Sequence, residues 1–127
     1  AKVASGGELS RIGLAIAVLA AQANPVPTLI FDEADAGVGG AVGDAIGLLM
    51  RTLGAARQVL CVTHLPQVAA RAHQHLSVSK EARDGHTVSR IATLDRGTRI
   101  DEVARMLAGS EITATTRKHA RELLAAS

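Results

Sequence analysis

Two carboxylates close the most apolar stretch of this chain. Thr28 to Glu33 reads TLIFDE, an apolar run ending in Asp32 and Glu33. Acids at the rim of a core are costly to desolvate unless something pairs with them. In open α/β sheets, ligands gather at the carboxyl ends of the strands. A magnesium nucleotide fits that chemistry: Asp32 would hold Mg²⁺, usually through water, and Glu33 would polarise an attacking water. The alternative is a strand that ends in solvent with two ordinary acids. A second apolar run, RQVLCVTH (Arg57 to His64), ends in His64. If the two runs are neighbouring strands, His64 and Glu33 emerge at the same sheet edge. There an imidazole could hydrogen-bond a terminal phosphate, whereas a lone histidine at a strand end is otherwise a surface residue. His73, His75, His86 and His119 lack such placement. With one cysteine and no H-x₃-H pair, the pattern does not point to zinc.

A third group lies near the beginning, in VASGGELSRIGLAI. Ser5 and Glu8 have the S-x-x-E spacing of a capping box. Leu9, Ile12, Ile16 and Leu19 follow at helical intervals, which predicts an amphipathic helix to about Gln22. Gly6 and Gly7 do not suit a simple helix start, since glycine costs up to ~1 kcal/mol against alanine inside a helix. They do offer bare amides at the positive end of a helix dipole, a natural phosphate site. Taken alone, these residues leave a plain cap and an anion-binding turn both open.

The elements that must position these groups alternate between helix and strand. Asn24 to Pro27 (NPVP) is a turn, Thr28 to Glu33 a buried parallel strand, and AGVGG a flexible loop. Val42, Ile46, Leu49, Met50 and Leu53 mark a second amphipathic helix, with Gly54 at the C-cap. Arg57 to His64 reads as a second buried strand, followed by a short helix from about Pro66. HLSVSK and HTVSRIATL form a hairpin turning at Asp84-Gly85. Two helices complete the chain, about Thr98 to Ala108, closed by Gly109, and about Thr113 to Ala125. Helix, strand, helix, strand implies an α/β sandwich with a partly parallel sheet flanked by helices.

Composition narrows the function. The 127 residues suffice for one small domain, 47% apolar, but Phe31 is the single aromatic among Phe, Trp and Tyr, which leaves almost no platform for stacking nucleic-acid bases. The net charge is +2; residues 1–64 carry four basic and five acidic side chains, and 65–127 carry ten and seven. The second half permits an acidic or nucleic-acid partner without demanding one. Cys61 sits in an apolar run and is expected to be a buried, unreactive thiol in a reducing compartment. No signal peptide or membrane-length apolar run is visible, so a cytoplasmic protein without membrane contact is expected.

In order, SGGE, TLIFDE and VLCVTH resemble the second half of an ATP-binding-cassette ATPase: signature motif, Walker B strand and switch histidine. Each motif is weak alone, but three in this order and spacing are specific. KVASGGELSRI, LIFDEADAGVGG, VTHLPQVAARAHQHLSVSK and RIDEVARMLAGSEIT are together similar to the C-terminal end of the RecN family of bacterial DNA repair proteins. That family is related to the structural-maintenance-of-chromosomes (SMC) proteins, and the resemblance spans nearly the whole chain. It implies the C-terminal lobe of an ABC/SMC-type P-loop ATPase head, with residues 1–127 as a single half-domain. It also implies ATP and Mg²⁺ as ligands, and as partners an N-terminal lobe of the same protein, a second head in an ATP-dependent dimer, and DNA through the assembled protein. Nucleoid association during DNA damage follows from the same likeness. Ser5, Gly6, Gly7 and Glu8 then form the signature that meets the γ-phosphate of an ATP on the opposing head. Asp32 becomes the Walker B magnesium-site acid, Glu33 the catalytic base and His64 the switch residue. Related chromosome-maintenance ATPases have a D-loop aspartate about where Gly39 stands, so no carboxylate role transfers there. Asp35 stands nearby without an assigned role.

Two features limit the reading. No G-x-x-x-x-G-K-[ST] occurs, and Lys2, Lys80 and Lys118 follow no glycine-rich loop. The main ATP-holding element is therefore not in these residues, and the resemblance assigns it, with a coiled coil, to an N-terminal half-domain. The chain alone is accordingly expected to be inactive. The literal DEAD of Asp32 to Asp35 also occurs in RNA helicases, but those carry Ser-Ala-Thr on the following strand, where this chain has VTH. A head lobe of another ABC/SMC-type ATPase and a non-catalytic dimerisation module are the alternatives. Retention of Glu33 and His64 argues against the latter.

Overall fold

The structure, a computed structural model, describes residues 6–23 and 26–127, and the side chains of residues 13–23 and 26–127. The proposed Ser5–Glu8 capping box lies outside what is described. Helix α1 (Gly6–Ala23) precedes strand β1 (Thr28–Asp32), helix α2 (Gly40–Gly54), strand β2 (Gln58–Val62) and helix α3 (Pro66–Arg71). Strands β3 (Leu76–Arg83) and β4 (His86–Thr93) form the hairpin, and helices α4 (Arg96–Ala108) and α5 (Ala114–Ala125) end the chain.

β1 and β2 pair in parallel, with Thr28 opposite Gln58 and Asp32 opposite Val62. Strand alternation sends Leu29, Phe31, Val59 and Cys61 to one face. There they join Leu14 and Val18 of α1, Ile46, Met50 and Leu53 of α2, and Val68 of α3 in the main core. The expectation of fully buried strands needs correction. Ile30, Leu60 and Val62, on the other face, are 70%, 43% and 57% exposed. Among the described residues helices cover one side of this sheet, so its second apolar face is open.

α2 and α3 approach closely because α2 carries glycine on the facing side. A Cβ on Gly47 would lie 2.8 Å from Arg71 Cγ and 3.1 Å from the Gln67 carbonyl oxygen. Arg71 is then locked in place. Its Nε and Nη2 donate to Asp44 at 3.0 and 2.9 Å, and its own carbonyl accepts from Arg51 Nη1 at 2.8 Å. α4 docks through Arg99, whose Nη2 donates to the Ala69, Ala70 and Ala72 carbonyls at 3.1, 3.1 and 2.6 Å. A cation at the end of α3 meets its terminal carbonyls, of which Ala69's also accepts the Ala72 amide at 3.3 Å. Val103, Ala104 and Ala120 form a second small core between α4 and α5.

Four boundaries differ from the sequence reading. Gly54 is the last helical residue of α2 rather than a left-handed cap. The chain leaves through Ala55 at φ −68°, with Ala55 and Ala56 amides bonded to Thr52 and Leu53 carbonyls. That tightened last turn satisfies the carbonyls without a positive φ. α4 starts at Arg96, two residues early, because the Asp95 side chain accepts from the Thr98 amide at 2.8 Å and caps it there. The strands stop at Asp32 and Val62, short of Glu33 and His64. Gly109, at φ 72°, closes α4, and Asp84-Gly85, at φ 48° and 78°, turns the hairpin, both where the sequence puts them.

Candidate nucleotide-hydrolysis edge

The parallel register decides which side chains meet. Asp32 is the last paired residue of β1 opposite Val62, and the Glu33 amide donates to the Val62 carbonyl at 3.0 Å. Thr63 and His64 follow directly, so Asp32, Glu33 and His64 leave the sheet at its carboxyl edge. All three are exposed, and among the described residues none has a side-chain hydrogen bond or ion pair. Glu33 adopts φ 50°, the left-handed region that side chains other than glycine rarely occupy. The turn that holds it there is closed by Ala36 N–H donating to the Glu33 carbonyl at 3.0 Å and Val38 N–H to the Asp35 carbonyl at 3.1 Å.

The residue that anchors this turn is Asp35, to which the sequence assigns no role. Asp35 is completely buried. One carboxylate oxygen accepts a hydrogen bond from the Thr63 hydroxyl. The same Thr63 oxygen accepts from the Leu65 amide at 2.9 Å, so the bonds clamp the backbone on both sides of His64. The other Asp35 oxygen has no partner among the described residues. A charged residue inside a loop otherwise built of Ala, Gly and Val was the available signal. Cys61, one strand position before Val62, is partly buried; desolvation, then the nearby Asp35 charge, push its thiol up to about 11.

Gly6 and Gly7 open the first turn of α1, while Ser5 and the Glu8 side chain lie outside the described residues. Gly39 is the extended N-cap of α2, and a Cβ there would meet nothing within 4 Å. Space does not impose glycine at that position. Among the described residues the edge is open, with Asp32, Glu33 and His64 exposed. A cleft of about 810 Å³ between the hairpin, α4 and α5 shares no residue with it.

Donor chemistry limits what metal this edge could hold. Among the described residues no group of three or more His, Cys, Asp or Glu side chains converges. A closed protein cage is therefore not available there. Mg²⁺, however, usually keeps several waters and takes one or two carboxylates plus substrate phosphates. A single exposed carboxylate at Asp32 fits that mode.

The chain matches no protein-family model. It is 53% identical over all of its 127 residues to the DNA repair protein RecN of Vibrio cholerae, and 49% identical over 97% of its length to that of Bacillus subtilis. Throughout its length the chain is RecN-like. It spans about a fifth of those proteins, 23% and 21% respectively, in their C-terminal part. Among solved structures, an Smc head domain with coiled coil and joint from Pyrococcus yayanosii superposes with a TM-score of 0.68 at 28% identity. That match covers 80% of this chain and 19% of the other. The α/β fold seen here is thus that of the C-terminal lobe of an SMC-type ATPase head. No helix among the described residues is long and apolar enough to cross a membrane.

Proposed function

We propose that this chain is the C-terminal lobe of an ATP-hydrolysing, SMC-like DNA repair protein. In this reading, residues 1–127 form one half-domain that completes an ATP site within a head dimer. The reading is supported above all by the in-register β1–β2 pair, from which Asp32, Glu33 and His64 leave at one edge. Asp32 would hold Mg²⁺, usually through water, and the ion would supply neutralisation of phosphate charge. Glu33 orients a water and accepts its proton, while His64 donates a hydrogen bond to the terminal phosphate. Ser5, Gly6, Gly7 and Glu8 offer amides and a helix start to an ATP carried by the opposing head.

The phosphate loop comes from an N-terminal lobe of the same polypeptide, whose contact surface includes the open face of Ile30, Leu60 and Val62. DNA is engaged by the assembled protein, in the cytoplasm at the nucleoid. Acids such as Asp84, Asp95, Asp101 and Glu102 interrupt the basic residues of this lobe, which does not favour a DNA site within it. The 127-residue chain alone neither binds ATP tightly nor turns it over.

The test is Glu33→Gln in the full-length protein, which keeps shape and removes the base. Hydrolysis should collapse while ATP binding survives and heads accumulate as an ATP-bound dimer on size exclusion. Turnover at the wild-type rate would remove Glu33 from the mechanism.

A further inference from the structure

We propose that Asp35 is a positioning residue for hydrolysis: through the Thr63 hydroxyl its buried carboxylate ties the turn carrying Glu33 to the strand end carrying His64. This rests on the reading of Glu33 and His64 given above. The two groups follow different strands, 31 positions apart in sequence, and their side chains are exposed. Side chains at an open edge owe their relative placement to the backbone beneath them. Here that backbone is joined by two cross-links. One is the Glu33 amide on the Val62 carbonyl at 3.0 Å, and the other is the Thr63 hydroxyl on Asp35.

The second link reaches further than a strand-pairing bond. Thr63 both donates to Asp35 and accepts from the Leu65 amide at 2.9 Å, so His64 lies between two residues held by one hydroxyl. On the other side, Asp35 belongs to the turn that keeps Glu33 at φ 50°, and its carbonyl receives the Val38 amide at 3.1 Å. A fully buried carboxylate is expensive to keep, and a hydrogen bond to a charged acceptor is correspondingly strong. A shift at either end of the link is therefore transmitted to the other, and base and phosphate-facing imidazole move as one unit.

Thr63→Val in the full-length protein removes the hydroxyl at constant shape, and Thr63→Ser restores it. Thr63→Val should lower kcat by roughly 10- to 100-fold, the scale of a small misplacement of reacting groups. ATP affinity should be unchanged, because the phosphate loop is untouched. Thr63→Ser should recover turnover to within about twofold of wild type, and in a His64→Ala background Thr63→Val should cost no more than about twofold further. Hydrogen exchange at the Leu65 amide gives a readout independent of activity, protected in wild type and Thr63→Ser and exposed in Thr63→Val. Wild-type kcat in a Thr63→Val protein whose Leu65 amide has lost protection overturns the proposal. So does equal loss in the Val and Ser variants, or loss of ATP affinity in parallel with kcat. Should Glu33→Gln itself retain full turnover, the underlying mechanism fails instead, a result the Thr63 pair cannot produce.

Discussion

The amide of Glu33 donates to the carbonyl of Val62 across 3.0 Å, and this last rung of the β1–β2 pair holds Glu33 at φ 50°. A side chain in that region crowds its own backbone, at a cost of roughly 1–2 kcal/mol that glycine avoids. Strain of this kind gathers where surrounding structure over-determines a functional residue. Two variants that both delete the carboxylate should therefore separate. Glu33→Gly should be more stable than Glu33→Ala by about 0.5–1 kcal/mol once glycine's extra unfolded-state entropy is counted. Denaturant titration of the pair checks this, and an alanine variant of equal or greater stability would contradict the strained geometry.

Gly47 sets the distance between α2 and α3. A methyl group there must displace the Arg71 side chain at 2.8 Å, and it also presses on the Gln67 carbonyl at 3.1 Å, which as backbone yields less. Overpacking costs typically ~1–3 kcal/mol, against which alanine returns up to ~1 kcal/mol of helix propensity. Gly47→Ala should be net destabilising by about 1 kcal/mol, with the Arg71–Asp44 pair disturbed. Gly13, with nothing within 4 Å, is the control, and Gly13→Ala should stabilise. If both substitutions stabilise, the helices are not packed as closely as described.

Much of this was legible beforehand, and the failures have a common cause. Asp84-Gly85 and Gly109 are local signals, because a positive φ at consecutive turn residues or after a helix selects glycine and its neighbours whatever the rest of the chain does. Convergence of Asp32, Glu33 and His64 on one edge needed a single non-local fact, that β1 and β2 are parallel neighbours. Asp35 was legible only as a charge in a loop of small residues; its burial against Thr63, 28 residues away just past the adjoining strand, was not. The half-open sheet was not legible either. TLIFD and QVLCV read the same whether the second face is covered by helices of this chain or left bare. The cap choices at Gly54 and Asp95 turned on whichever group reached the helix end first, which periodicity does not encode.

Cys61 should report on the Asp35 charge through its own titration. Its thiol is raised from 9.0 to about 11, first by burial and then by Asp35. A raised pKa means that the folded state holds the proton more tightly than the unfolded one. Between about pH 9 and 11 folding stability therefore falls as pH rises, and below that window this group adds no pH dependence. Alkylation by iodoacetamide, which needs the thiolate, should stay slow at neutral pH and rise with a midpoint near 11 in the folded protein. Asp35→Asn should move that midpoint down without reaching the value of the unfolded chain. An unchanged midpoint in Asp35→Asn would show that burial alone governs the thiol.

The open face of β1 and β2 yields the last prediction, since its cost depends on what covers it. Ile30 and Leu60 stand opposite each other in the parallel register and are 70% and 43% exposed. Exposed substitutions change stability by no more than about 0.5 kcal/mol. Threonine is β-branched, keeping the branching of Ile30 and supplying it at Leu60, and such residues suit a strand, so Ile30→Thr and Leu60→Thr should be nearly silent in the 127-residue chain. In the full-length protein the proposed N-terminal lobe covers this face. There each substitution removes buried apolar area and buries a hydroxyl, at a cost of about 2 kcal/mol. Paired denaturation curves of the chain and of the full-length protein, each with and without the double substitution, measure the difference. Equal, small shifts in both would mean that the face stays in water and that the N-terminal lobe docks elsewhere.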